Sequence, residues 1–329
     1  MEGSHDQTEF NVSSPSAIGD RLDFLVIVSA LLSVTTVLLN LLTGVTLLWN
    51  RSHYTTTFLL AIGNLALSNL LYGCVGLPIR SQLISTGNRW NYSFASCLSI
   101  MTLTDIFEDV STLSLVLVNL DCTVLLMSPH QYRTGLFRCL MATFSASAWA
   151  VPMIVELYLH VKDWNNMKDI YTSLSDVCVG IITKYLKVLG ITFTTLLAFP
   201  LVMFFIFLQY VKLTKIYTSS PYGAADPTDM LTSLLWLDIV IAVSRFFGGL
   251  LVVACLLVGA TSRFLAANPF PTSLYIGALW MKKASFGLPM LLWLFSKTIR
   301  RSVKQLVHGD TTYFASPYPD SHLSHYNQG

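Results

Sequence analysis

FASCLSIMTLTDIFEDVSTLSLVLVNLDCTVLLM, residues 94–127, is the stretch that decides the fold. It exceeds the ~20 residues with which an α-helix, rising 1.5 Å per residue, crosses a hydrocarbon core of ~30 Å. Its only charges are the acids Asp105, Glu108, Asp109 and Asp121. Asp105, Glu108 and Asp109 stand at i, i+3 and i+4, on one side of such a helix. Counting from Cys97 puts them ~12–18 Å along the helix, a depth at which charges are costly and should face the interior, paired.

Six further runs of the same kind, residues 22–49, 57–83, 139–159, 185–216, 230–258 and 272–295, accompany it. Over the 329 residues, 53% are hydrophobic and 12% charged, and the mean hydropathy is +0.59. A soluble domain carries ~25% charge. The chain is therefore expected to be an all-α membrane protein, a seven-transmembrane helix bundle. A membrane barrel would show short alternating strands instead. The expected divisions are an extracellular tail at 1–21, the bundle at 22–296, an amphipathic helix 8 at 297–307 and a cytoplasmic tail at 308–329.

The polar, acidic start lacks the basic segment and cleavage site of a secretory signal, so the first helix is expected to direct insertion itself. With the N-terminus outside, the short acid-poor clusters around Arg51, Arg133, Arg138, Lys212, Lys215, Lys297, Arg300, Arg301 and Lys304 lie in the cytoplasm. The sequon Asn11-Val12-Ser13 then makes Asn11 a glycosylation candidate. Under this topology only Cys97 and Cys178 lie near the outer surface in polar surroundings. An oxidising compartment would pair them; the alternative is two unrelated membrane cysteines.

Residues 295–306 place Phe295, Ile299, Val303 and Leu306 on one side with cations between, the pattern of an interfacial helix drawn to anionic membrane lipid. The net charge of +2 gives no reason to expect nucleic acid. The histidines are scattered, and neither His-Glu-x-x-His nor a phosphate-cradling glycine loop occurs, so no enzyme activity, cofactor or metal is expected.

Order and spacing of several short motifs resemble the class A, rhodopsin-like G-protein-coupled receptors over nearly the whole helical region. Asn40 is similar to the first-helix asparagine of that family, and Asn64-Leu65-Ala66-Leu67-Ser68-Asn69 resembles its Asn-Leu-Ala-x-x-Asp. Trp90 to Cys97 resembles the first outer-loop Trp-x-Phe-x-x-x-x-Cys, with Tyr92 for Phe. Asp121-Cys122-Thr123, followed by Pro129 and Tyr132, resembles Asp-Arg-Tyr with the Pro and Tyr of the second inner loop. Trp149, Pro200 and Pro289 fit the fourth-, fifth- and seventh-helix markers.

The departures fall in the family's switch. Arginine is replaced by Cys122 and tyrosine by Thr123. The sixth-helix Cys-Trp-x-Pro is missing from residues 246–253, Asn-Pro-x-x-Tyr reads Leu288-Pro289-Met290-Leu291-Leu292, and the sodium-site aspartate is Asn69, although Ser111 remains. A thiol can neither pair with Asp121 at rest nor reach a G protein as arginine would. Such erosion resembles that of receptors encoded by herpesviruses.

The resemblance implies a plasma-membrane receptor coupled to a heterotrimeric G protein, with raised basal activity where the resting arginine contact cannot form. The alternative is a non-signalling seven-helix protein that binds or retains another receptor or surface protein. Lys282 and Lys283, seven and six residues before Pro289, reach the depth of Asp105, Glu108 and Asp109. Together they would form a ligand pocket, a latch between third and seventh helices, or a purely structural ion-pair network. Asp121, Cys122, Thr123, Pro129 and Tyr132 are the expected coupling residues. Arg245, two turns after Asp238, is the candidate to replace part of the lost switch.

Overall fold

The computed structural model describes residues 15–49, 51, 55–86, 90, 92–162, 164–165, 168 and 184–219, and, more sparsely, 235–236, 239–240, 242–248, 250–251 and 286. The chain forms α1 (Pro15–Trp49), α2 (Thr56–Leu71), a π-helical turn (Tyr72–Gly76), α3 (Leu77–Ser85), α4 (Phe94–Met127), α5 (Pro129–Tyr132), α6 (Gly135–Lys162) and α7 (Lys184–Ser219). The described residues between 235 and 251 are helical as well, and no strand occurs among the described residues.

Five helical stretches are long and apolar enough to cross a membrane: Val26–Trp49, Thr56–Leu83, Phe94–Met127, Gly135–Tyr158 and Ala198–Lys215. They coincide with the first five apolar runs of the sequence. Most of the seventh run, helix 8, the cytoplasmic tail, Asn11, Cys178, Asp238, Lys282, Lys283 and Pro289 lie outside the described residues.

Local chemistry explains the helix boundaries. Thr55 caps α2 by accepting from the Phe58 amide at 3.4 Å, and Ser93 caps α4 by accepting from the Ser96 amide at 3.3 Å. Pro129 cannot continue α4 and instead occupies the first turn of α5, where its missing N–H is not needed.

α4 is the central helix, packed against α2, α6 and α7, while α1 leans on α2 and α3. Ile62 and Leu65 of α2, Leu115, Val118 and Cys122 of α4, Met141 and Ala148 of α6, and Val202, Ile206 and Leu213 of α7 form one apolar core. Asn40, Asn69, Ser111, Ser114, Asn119, Asp121 and Gln209 are buried, whereas Leu31, Leu38, Phe144, Ile154, Leu157, Phe204 and Phe207 are exposed. An apolar exterior around an interior that holds buried polar side chains suits a hydrocarbon solvent, since water would penalise the large exposed apolar area.

The π-helical turn has its own support. Its wider hydrogen bonding disturbs the regular ladder and calls for other partners. Ser33 of α1 donates to the Gly73 carbonyl at 2.8 Å, and Ser29 donates to the Leu77 carbonyl at 3.3 Å. A Cβ at Gly76 would stand 2.9 Å from Cγ2 of Thr104, so only glycine admits α4 at this distance. The turn sends Tyr72, fully buried, onto the ring of Phe286 at a centroid distance of 4.4 Å.

Candidate functional site

Polar side chains that appear isolated along apolar runs come together on α4. The helical period brings Ser111, Asn119 and Asp121–Thr123 to faces shared with α2, α7 and the sixth run, producing a series of buried hydrogen-bonded junctions.

At the Asp121 end, the phenol of Tyr132 donates to Oδ2 of Asp121 at 3.0 Å and accepts from Oγ1 of Thr57 at 2.9 Å. Thr55 lies 2.5 Å from the same phenol oxygen. Burial pushes the Tyr132 hydroxyl well above its ordinary range, and the neighbouring Asp121 carboxylate pushes it further. Tyr132 therefore keeps its proton and serves Asp121 as a neutral donor. The second oxygen of Asp121, Oδ1, is buried with no hydrogen-bond partner among the described residues.

Next to this junction, Gln209 of α7 is buried at 1% exposure. Its Nε2 donates to the Asn119 carbonyl at 3.1 Å and to Oγ1 of Thr123 at 3.1 Å, while Thr123 donates to the same Asn119 carbonyl at 2.7 Å. On the other side of α2, Asn64 donates to Ser145 of α6 and accepts from Trp149 Nε1 at 3.4 Å. These contacts tie α4 to α7 and α2 to α6 through side chains whose surroundings are otherwise apolar.

Midway along α4, Ser111 donates to Oδ1 of Asn69 at 2.5 Å. Arg245 of the sixth run reaches this pair, with Nη2 donating to Ser111 at 2.7 Å and Nη1 to Thr112 at 3.4 Å. Glu108, one turn along α4, adds its charge to the surroundings of the guanidinium.

At the opposite end of α4, Cys97 is disulfide-bonded and packs with Leu83, Trp90 and Met101. Trp90 Nε1 donates to Oγ of Ser96 at 3.0 Å, which holds the loop over the helix start.

The structure thus brings Asp121 and Tyr132 of the expected coupling set together, while Thr123 joins Asn119 and Gln209 and Arg245 joins a separate junction. Cys122 of the same set is 1% exposed and packs in the apolar core, while Pro129 is exposed at the start of α5. Asp105 is buried and Glu108 and Asp109 are half-buried on α4. Their expected partners, Lys282 and Lys283, lie outside the described residues, as does Cys178. No group of three or more His, Cys, Asp or Glu among the described residues could hold a metal ion.

Gln209, Thr55, Thr57, Asn119 and Ser145 were not singled out by the sequence. The available signal was an amide or hydroxyl within an apolar run, which must find a partner inside the bundle. No protein-family model and no curated protein matches the chain.

Proposed function

We propose that this chain is a seven-helix receptor of the class A type at the plasma membrane, with its N-terminus outside, that passes a conformational change to a heterotrimeric G protein. The observation that carries the reading is the junction in which Tyr132 and Thr57 hold Asp121 at the end of α4. A receptor of this type needs a resting contact at that place, and here a phenol supplies it where arginine is absent. Because a phenol–carboxylate bond is weaker than a two-pronged arginine pair, the resting state is shallow and basal signalling is raised.

In this reading the sixth and seventh runs complete the bundle, helix 8 lies on anionic lipid, Asn11 carries glycan and Cys97 is bridged to Cys178. Asp105, Glu108, Asp109, Lys282 and Lys283 line the ligand pocket or form its latch. G-protein nucleotide exchange in cells expressing the unliganded chain tests the proposal, alongside Tyr132→Phe and Asp121→Asn at matched surface levels. Exchange above empty-vector cells, raised further by Tyr132→Phe, is the expected result.

The burial of Cys122 in the apolar core favours a second reading, a non-signalling membrane protein that binds or retains another receptor or surface protein. A buried thiol offers no charged group to a G protein. Absence of exchange in the wild type and both variants, with normal surface expression, would favour this second reading over the first.

A further inference from the structure

A guanidinium in an apolar bundle must satisfy its donors from within, because it does not deprotonate in proteins and burial without partners is costly. Arg245 is 9% exposed and meets this need in an unusual niche. Ser111 has committed its hydroxyl hydrogen to Asn69 at 2.5 Å, and Thr112 has committed its own to the Glu108 carbonyl at 3.0 Å. Each hydroxyl therefore presents only lone pairs to the space between them. The Phe286 ring lies alongside, with its centroid 4.5 Å from the guanidinium carbon. Phe286 is itself held by the stacked Tyr72 and by Asn40, whose Nδ2 lies 3.5 Å from the Phe286 carbonyl.

We infer that Ser111, Thr112 and Phe286 form a guanidinium-binding niche, filled in cis by Arg245, which clasps the sixth run to α4 and to the seventh run. Two acceptors with their hydrogens turned away, beside an aromatic face, suit a planar cation that only donates. Withdrawal of the sixth run would break both hydrogen bonds and the ring contact together, which defines the opening of the clasp. The clasp deepens the receptor reading, in which its opening is the signalling movement, yet the closed geometry stands without any G protein.

The test uses the full chain in lipid nanodiscs with Cys74 and Cys139, both exposed, replaced by serine. Spin labels go at Met127→Cys and Trp236→Cys, exposed positions on α4 and the sixth run. Arg245→Ala is expected to lengthen and broaden the label-to-label distance distribution by several ångström. Guanidinium chloride at millimolar concentration should narrow it again, whereas equal urea or sodium chloride should not. An unchanged distribution in Arg245→Ala, or equal restoration by urea or sodium chloride, overturns the clasp. If Arg245→Ala does not fold, Thr112→Val takes its place: partial broadening supports the niche and none overturns it. Nucleotide exchange on the same variants separates the two proposals. A broadened distribution without altered exchange leaves the clasp standing and counts against the receptor reading.

Discussion

Tyr132 stands 3.0 Å from Asp121 although it lies eleven positions further along the chain, because α4 ends before Pro129 and α5 turns the chain back towards it. This pair defines the chemistry at one end of the central helix. It joins a carboxylate to a phenol whose remaining oxygen lone pairs are taken by Thr55 and Thr57, so α2, α4 and α5 meet at a single oxygen.

Removing that oxygen by Tyr132→Phe leaves Asp121 short of a donor in a buried site. The expected cost is ~1–3 kcal/mol, read as a lower midpoint of thermal unfolding in detergent. Thr57→Val, which leaves the Tyr132–Asp121 hydrogen bond in place, should cost less.

The Tyr132 hydroxyl is raised above its ordinary value of 10.0, so the folded chain holds this proton more tightly than the unfolded chain. The associated stability is complete below pH 10.0 and declines as pH rises beyond it. Unfolding midpoints of wild type and Tyr132→Phe should therefore converge above that pH. A gap that stays constant on alkaline titration would show that the phenol proton is not linked to folding.

Gln209→Leu keeps the volume and removes the donor that joins α7 to Asn119 and Thr123. Side-chain hydrogen bonds between membrane helices contribute ~0.6 kcal/mol on average and up to ~1.7 kcal/mol. The buried position argues for the upper part of that range. Reversible unfolding in mixed micelles would measure it, and a variant as stable as wild type would remove Gln209 from the junction.

Glycine substitutions should separate by position. A Cβ at Gly76 would meet Thr104 at 2.9 Å and the Tyr72 ring at 3.0 Å, so Gly76→Ala overpacks the π-helical turn against α4. The expected loss is ~1–3 kcal/mol. A Cβ at Gly63 would meet nothing within 4 Å, and Gly63→Ala should be neutral or stabilising by up to ~1 kcal/mol. Equal effects at the two sites would contradict the close approach at the π-helical turn.

Cys97→Ser should lower stability by ~2–5 kcal/mol through loss of its disulfide. Non-reducing peptide mapping of the wild type is expected to recover Cys97 joined to Cys178. Recovery of Cys97 with Cys255 would overturn that pairing.

The helical, apolar character of the chain could be read along its length. Residues 94–127 are long enough and apolar enough to specify a spanning helix by themselves, and four other runs behave alike, because helix hydrogen bonds are local and hydropathy is additive. The motif around Asp121 and Tyr132 likewise marked two residues that the structure joins by a hydrogen bond. Its partners Thr55 and Thr57 belong to a distant helix start, so nothing local announced them. Gln209 carried only the general signal that an amide in an apolar run needs a partner.

Sequence alone determined that five apolar runs are long enough to cross a membrane as helices, and that Cys122 follows Asp121. Tertiary structure alone decided that Cys122 packs in the apolar core, that Tyr132 and Thr57 serve Asp121, and that Arg245 lies between Ser111, Thr112 and Phe286. The physical reason is range: hydrophobic length is a property of neighbours in the chain, whereas a buried hydrogen bond depends on which helix faces bring donor and acceptor within ~3 Å.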